Sequence, residues 1–172
     1  MDWKKFEDEC FDLTLSLVNG LVCENKDDVI YALCLYTDSS AMTVSLSANT
    51  ERGFSESINA NEDNDDEMVK YYRWAFSEWL YDAYEASKFS GISNNLRGDT
   101  LRDIDFNSFF KKLIVTLTQV LCRIRDENIN ALDKTVFFVS ITDDDDSEAI
   151  ENGSAKIINS DMVYRKFISR YD

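Results

Sequence analysis

Apolar residues recur along the first segment at three- and four-residue steps: Trp3, Phe6, Cys10, Leu13, Leu17 and Leu21. That spacing predicts an amphipathic helix with these side chains on one face. Phe11, Leu15, Val18 and Val22 widen the face, so the helix is expected to be covered on more than one side. Asp2, Glu7, Asp8 and Glu9 lie in its first turns, the end of the helix dipole that favours acids.

The period then changes. From Val29 to Tyr36 nearly every residue is apolar, which predicts a strand buried on both faces. From Met42 to Ala48 the pattern alternates, with Met42, Val44, Leu46 and Ala48 inward and Thr43, Ser45 and Ser47 outward. The polar link Thr37-Asp38-Ser39-Ser40-Ala41 predicts an antiparallel hairpin. Val136 to Thr142, rich in β-branched and aromatic residues, predicts a third strand. With the doubly apolar strand in the centre, the order is second, first, third; the pattern leaves the direction of the third open.

Asp105 predicts the N-cap of a long helix whose stripe is Phe106, Phe110, Leu113, Leu117, Val120, Leu121 and Ile124. The β-branched run Ile114 to Thr116 supports a competing strand there. Near the end, Ser160 or Asp161 caps a short helix carrying Val163, Tyr164, Phe167, Ile168 and Tyr171. Ser77 predicts the cap of another helix running to about Phe89, with Trp79, Leu80, Ala83 and Tyr84 inward. There is no internal repeat and no Gly- or Ser-rich linker. The expectation is a single α+β domain over residues 1–172, with a small, mainly antiparallel sheet packed by N-terminal, central and C-terminal helices.

Composition narrows the chemistry. The chain has 33 acids, 18 Lys plus Arg and no histidine, a net charge of −15. Such a balance argues against nucleic-acid binding, which needs a basic face to meet phosphates. Without histidine there is no Ser-His-Asp or Cys-His machinery and no histidine-bearing zinc site. Cys10, Cys23, Cys34 and Cys122 lack a Cys-x-x-Cys spacing and sit in apolar periodic segments, so buried reduced thiols are expected. Acids interrupt the N-terminus before an apolar stretch forms, so no signal peptide is expected. No apolar run reaches the roughly 18 residues of a membrane span. The reading is a soluble, cytoplasmic protein. The glycines match no phosphate-cradling motif, and no cofactor is expected.

The charge is uneven. Residues 1–86 carry a net of −13 and residues 87–172 a net of −2. The densest patch is Glu62-Asp63-Asn64-Asp65-Asp66-Glu67, with no base between Arg52 and Lys70. It reads either as a solvated segment or as a surface that steers a basic partner. Asp143-Asp144-Asp145-Asp146 follows the third strand; it lacks the alternation and glycine of a Ca²⁺ loop and reads first as a solvated turn. A carboxylate-based, metal-dependent hydrolase centred there is the alternative function. Tyr71 to Tyr84 holds 7 of the 22 aromatics, with Tyr71, Tyr72 and Trp74 as candidate partner anchors if their rings are exposed. A peptide-binding regulatory domain built on those rings is a third reading. Arg123, Arg125, Lys111 and Lys112 lie on the polar side of the long helix and are expected to pair with acids.

Around Tyr72-Arg73-Trp74 and Glu78-Trp79 the chain resembles a family of small, uncharacterised bacterial α+β proteins. Tyr31 to Asn49, Phe138 to Asp144 and Glu151 to Ser160 fit the same pattern. Members are often encoded beside polymorphic or contact-dependent toxins, so the resemblance implies an immunity protein and no catalytic residues. The leading expectation is therefore a non-enzymatic protein that binds a cognate toxin domain, a cationic nuclease for preference. Glu62, Asp63, Asp65, Asp66 and Glu67 are the first candidate contacts, Tyr71, Tyr72 and Trp74 the anchors, and Asp143, Asp144, Asp145 and Asp146 the second acidic set.

Overall fold

The computed structural model describes residues 1–61, 65–127 and 131–171. Its centre is a three-stranded sheet of β1 (Ile30–Asp38), β2 (Ser45–Thr50) and β3 (Val136–Thr142), in the order β2-β1-β3. β1 pairs antiparallel with β2 and parallel with β3, so the sheet is mixed, with one ladder of each kind. The parallel ladder sets Ala32 opposite Val136 and Asp38 opposite Thr142.

The strand β1 is buried on both sides, as its unbroken apolar run predicts. Leu33, Leu35, Phe137 and Val139 enter one core with α1 (Trp3–Glu24) and α6 (Phe106–Glu127). Cys34, Val136 and Phe138 enter a second core with Trp79, Val163 and Phe167. A shift in register between Ile30 and Ala32 sends Tyr31 to that second side as well.

Both long helices form where the period predicts them. Asp2 caps α1, accepting from the backbone N–H groups of Lys4 and Lys5, each at 3.1 Å. Asp105 caps α6 through the N–H of Ser108 at 3.2 Å, and Ile114 to Thr116 are helical. The competing strand is therefore excluded there. Packing along the helix outweighs the modest β preference of three residues. The helix buries Phe109, while Phe106 is exposed.

Four local readings change. β2 starts at Ser45 rather than Met42, because Asp38 draws the preceding residues into the turn. Its carboxylate accepts from Ser40 N, Met42 N and Thr43 Oγ1 at 2.9, 3.1 and 2.6 Å, leaving Met42 exposed. The helix predicted from Ser77 to Phe89 is absent. Instead there are 3₁₀ turns at Phe76–Glu78 and Ala86–Phe89, and between them the main chain binds the outer edge of β2. Tyr81 exchanges hydrogen bonds with Ala48 at 3.1 and 3.2 Å, and Tyr84 N donates to Leu46 O at 2.7 Å. Backbone groups used across the sheet edge are lost to a helix. Trp79 is buried as expected, but Leu80 is 46% exposed, and Ala83 and Tyr84 are half-buried. Cys10 and Cys34 are buried and Cys122 half-buried, whereas Cys23 is exposed on the outer side of α1.

Helices also occupy stretches where the hydrophobic pattern predicts none: α2 (Glu51–Ala60), α3 (Asp66–Trp74), α4 (Ser90–Arg97), α5 (Thr100–Ile104) and α7 (Ser147–Ile158). The predicted C-terminal helix is α8 (Asp161–Ile168). The α2 helix buries only Gly53, α3 buries nothing fully, and α7 buries Ser154, Ala155 and Ile158. Faces this small or this polar leave little hydrophobic signal to read.

Candidate functional site

The aromatic segment that stands out in the sequence folds around one cation. Arg73, in the last turn of α3, reaches back to Glu51 at the start of α2 with bonds of 2.7 and 3.1 Å. Its guanidinium lies 4.2 Å from the Tyr31 ring centre and 4.9 Å from that of Phe54. The Arg73 carbonyl accepts from the Tyr31 hydroxyl at 2.7 Å and from Trp79 Nε1 at 3.1 Å. Tyr31 in turn accepts from Asn49 Nδ2 at 3.0 Å. Asn49 Oδ1 accepts from the N–H groups of Thr50 and Leu80, at 3.0 and 3.3 Å. Burial pushes the Tyr31 phenol well above the usual range, although Arg73 pulls it the other way. The knot therefore holds a neutral tyrosine. It ties β1, the end of β2, α2, α3 and the Trp79 turn into one rigid unit.

This unit presents α3 to solvent. Asp65 caps the helix by accepting from Met68 N at 2.8 Å, and Asp66 and Glu67 fill its first turn, all three exposed. Tyr71 is 44% exposed and meets Tyr72 edge-on at 5.6 Å. Its hydroxyl donates to Glu78 Oε1 at 3.4 Å, placing an exposed carboxylate beside an exposed ring. Tyr72 is half-buried. Trp74 turns inward, packing on Phe167 at 5.3 Å and on Tyr31 at 5.9 Å. Glu62 and Asp63 lie outside the described residues.

Asp143, Asp144, Asp145 and Asp146 form a separate exposed turn between β3 and α7. Asp143 adopts φ 58° and ends the strand, and Asp144 Oδ1 accepts from Asp146 N at 2.9 Å. The Asp144 carboxylate thus binds the turn's own backbone. Among the described residues, no three Cys, Asp or Glu side chains converge as a metal site. Two open clefts of about 430 Å³ flank the two ends of α1, and neither is lined by the acids and rings of α3 or by Asp143 to Asp146.

On the long helix, Arg123 pairs with Glu7 and Asp8, each at 2.8 Å, and lies 3.8 Å from the Phe11 ring centre. Arg125 instead donates to the carbonyls of Thr135 and Asp133 at 3.1 and 3.2 Å and to Asn159 Oδ1 at 3.0 Å. Lys111 and Lys112 stand exposed.

The sequence pattern misses a buried charged cluster. Glu151 on α7 accepts from Ser140 Oγ at 2.6 Å and pairs with Arg170 at 3.0 Å, the two side chains 13% and 1% exposed. Arg170 also donates to Asn152 Oδ1 at 2.6 Å and stacks on Phe167 at 4.0 Å. Burial pushes the Glu151 carboxyl up, against the pull of Ser140 and Arg170. Pairs this far apart in the chain leave no local spacing to recognise. The cluster clamps the C-terminal end onto α7 and β3, and neither Glu151 nor Arg170 lines the two clefts at the ends of α1.

A family profile described as a domain of unknown function (DUF4303) matches residues 13–160. That span includes the Arg73 knot, all three strands and α7. No curated protein and no solved structure matches the chain.

Proposed function

Since the chain belongs to the DUF4303 family, whose description names no activity, the functional reading rests on the residues, and we propose that it is a cytoplasmic immunity protein that binds and blocks a basic toxin domain. The observation that carries this reading is the face of α3. Asp65, Asp66 and Glu67 are exposed, Tyr71 stands exposed beside Glu78, and the nearby Arg73 is consumed by Glu51. Negative potential on a rigid element attracts and orients a cationic surface, and a preordered tyrosine adds contact area at small entropic cost. Both sheet edges are already occupied: β2 by the main chain of Leu80–Tyr84, and β3 by side chains of α6 and α7. A partner therefore meets side-chain surfaces rather than adding a strand. The resemblance to proteins encoded beside toxins supplies the class of partner, a cationic nuclease for preference, and inhibition is stoichiometric.

The test is co-expression with the product of the adjacent upstream reading frame. The expected result is rescue of growth and a complex with one copy of each chain on gel filtration. Its association rate should fall steeply with added salt. Asp66→Lys with Glu67→Lys should slow association by about tenfold or more while leaving the urea midpoint of the free protein near its parent value. Absence of both rescue and complex refutes the proposal.

A further inference from the structure

We infer that α7 is a guard helix, shielding in β3 a strand-pairing segment whose occupant, once exposed, is the β3 of a second copy of this chain. Residues Thr135 to Thr142 read Thr-Val-Phe-Phe-Val-Ser-Ile-Thr, with no charge, proline or glycine. Such a run is the composition that pairs with itself, and here it forms an edge strand rather than a central one.

The groups that would recruit another strand are the backbone N–H and C=O of alternate residues pointing away from β1. Those of Phe137 and Val139, and the carbonyl of Thr135, meet side chains. Asn159, just past α7, accepts from Phe137 N at 2.9 Å and donates to Phe137 O at 2.7 Å, reproducing the two bonds a neighbouring strand would make. Ser154 Oγ accepts from Val139 N at 2.8 Å and lies 3.3 Å from Val139 O and 3.1 Å from the Glu151 carbonyl, to one of which it donates. Arg125 donates to Thr135 O at 3.1 Å and braces Asn159 Oδ1 at 3.0 Å. Ser154 and Asn159 are both buried, so water does not reach these positions in their place.

The two edges are guarded differently. β2 is closed largely by main chain, in the mutual bonds of Ala48 with Tyr81 and the bond from Tyr84 to Leu46, which side-chain substitution leaves in place. β3 depends on an amide, a hydroxyl and a guanidinium. Removing them strands donors and acceptors in an apolar setting, which is costly, and pairing with another strand is the alternative that satisfies them all. A second copy fits because no like charges oppose each other across a β3–β3 pair. Elsewhere, two chains of net charge −15 repel.

The experiment is sedimentation velocity over a concentration series, with amide hydrogen exchange at Phe137 and Val139. It compares the parent, Ser154→Ala, Ser154→Ala with Asn159→Leu, and Gly53→Ala. The last is destabilised at the Asn49–Leu80 corner on the β2 side of the sheet and leaves the β3 edge covered. The double variant is expected to self-associate at least about tenfold more tightly than the parent, with both amides protected in the associated form. Ser154→Ala alone, lacking a single oxygen, retains the fold and shows a smaller shift in the same direction. Gly53→Ala matches the parent. The inference is overturned if neither Ser154 variant associates beyond the parent, whatever its stability. It is equally overturned if Gly53→Ala associates as strongly with the same protection at Phe137 and Val139, since exposure of β3 would then not depend on Ser154 and Asn159.

Discussion

Replacing Gly53 with alanine sets two opposing effects against each other at one position. Gly53 lies in the first turn of α2, where its N–H donates to the capping Thr50 Oγ1 at 3.0 Å. By helix propensity alone, alanine is better than glycine by about 0.8–1 kcal/mol. The surroundings argue the other way. A Cβ there would stand 2.6 Å from Asn49 Oδ1 and 2.8 Å from Leu80 Cβ. Neither atom is free to retreat, because Asn49 Oδ1 holds the N–H groups of Thr50 and Leu80, and Tyr81, next to Leu80, is bridged to Ala48. Overpacking of a rigid site costs about 1–3 kcal/mol, and two such contacts justify the upper end. The net expectation is a loss of about 2 kcal/mol, or about 4–8 °C in Tm for a chain of this size. Urea unfolding followed by tryptophan fluorescence should show a lower midpoint with an unchanged slope. A variant as stable as the parent, or more stable, would show that the Asn49–Leu80 corner yields easily, and the rigidity ascribed to the Arg73 knot would fall with it.

At Gly153 the balance has the opposite sign, because an added Cβ meets nothing within 4 Å and φ is not positive. Gly153→Ala should raise stability by up to about 1 kcal/mol, and a lower midpoint would argue against the helical state of α7. Thiol labelling should divide the cysteines: exposed Cys23 reacts at once and half-buried Cys122 slowly. Cys10, its thiol pushed up to about 12 by burial, and Cys34, also raised by burial, should react only on unfolding. Rapid labelling of more than two thiols in the native protein would contradict the packing of α1 and β1. Glu151 carries a pH signature. Burial raises its folded pKa above the unfolded value, so the folded state takes up this proton first. Its contribution to stability is complete below the unfolded glutamate range and is lost as pH rises through the folded value. Glu151→Gln should therefore flatten the dependence of the urea midpoint on pH above the ordinary glutamate range; midpoints of parent and variant that run parallel would rule this out.

Parts of the molecule were legible in one dimension. Phe6 to Leu21 announces a helix by period alone, because it buries a broad apolar stripe over many turns; in Leu113 to Ile124 the same kind of stripe competes with the β-branched run Ile114 to Thr116. Val136 to Thr142 announces β3 with its boundaries, since the four aspartates from Asp143 onward break the apolar run. The stretch from Phe76 to Phe89 misleads for a definite reason. A serine before alternating aromatic and acidic residues looks like a cap, yet those backbone groups bind β2, a partner far away in the chain. For the candidate site, the acids of α3 follow from local composition; the exposure of Tyr71 does not. Whether Trp74 faces solvent or Phe167 does not.

The sequence by itself determined the α+β class, the order of the strands and the half of the chain that carries the negative charge. Each depends on composition or short-range period, and short-range period is what sets which face a helix or strand buries. Only the tertiary structure decided that β3 runs parallel to β1, that Arg73 is consumed by Glu51 and Tyr31, and that Ser154 and Asn159 close the open edge of the sheet. These depend on hydrogen bonds, ion pairs and ring contacts between residues distant in the chain. No local pattern encodes them, because a donor and its acceptor need be neighbours only in space.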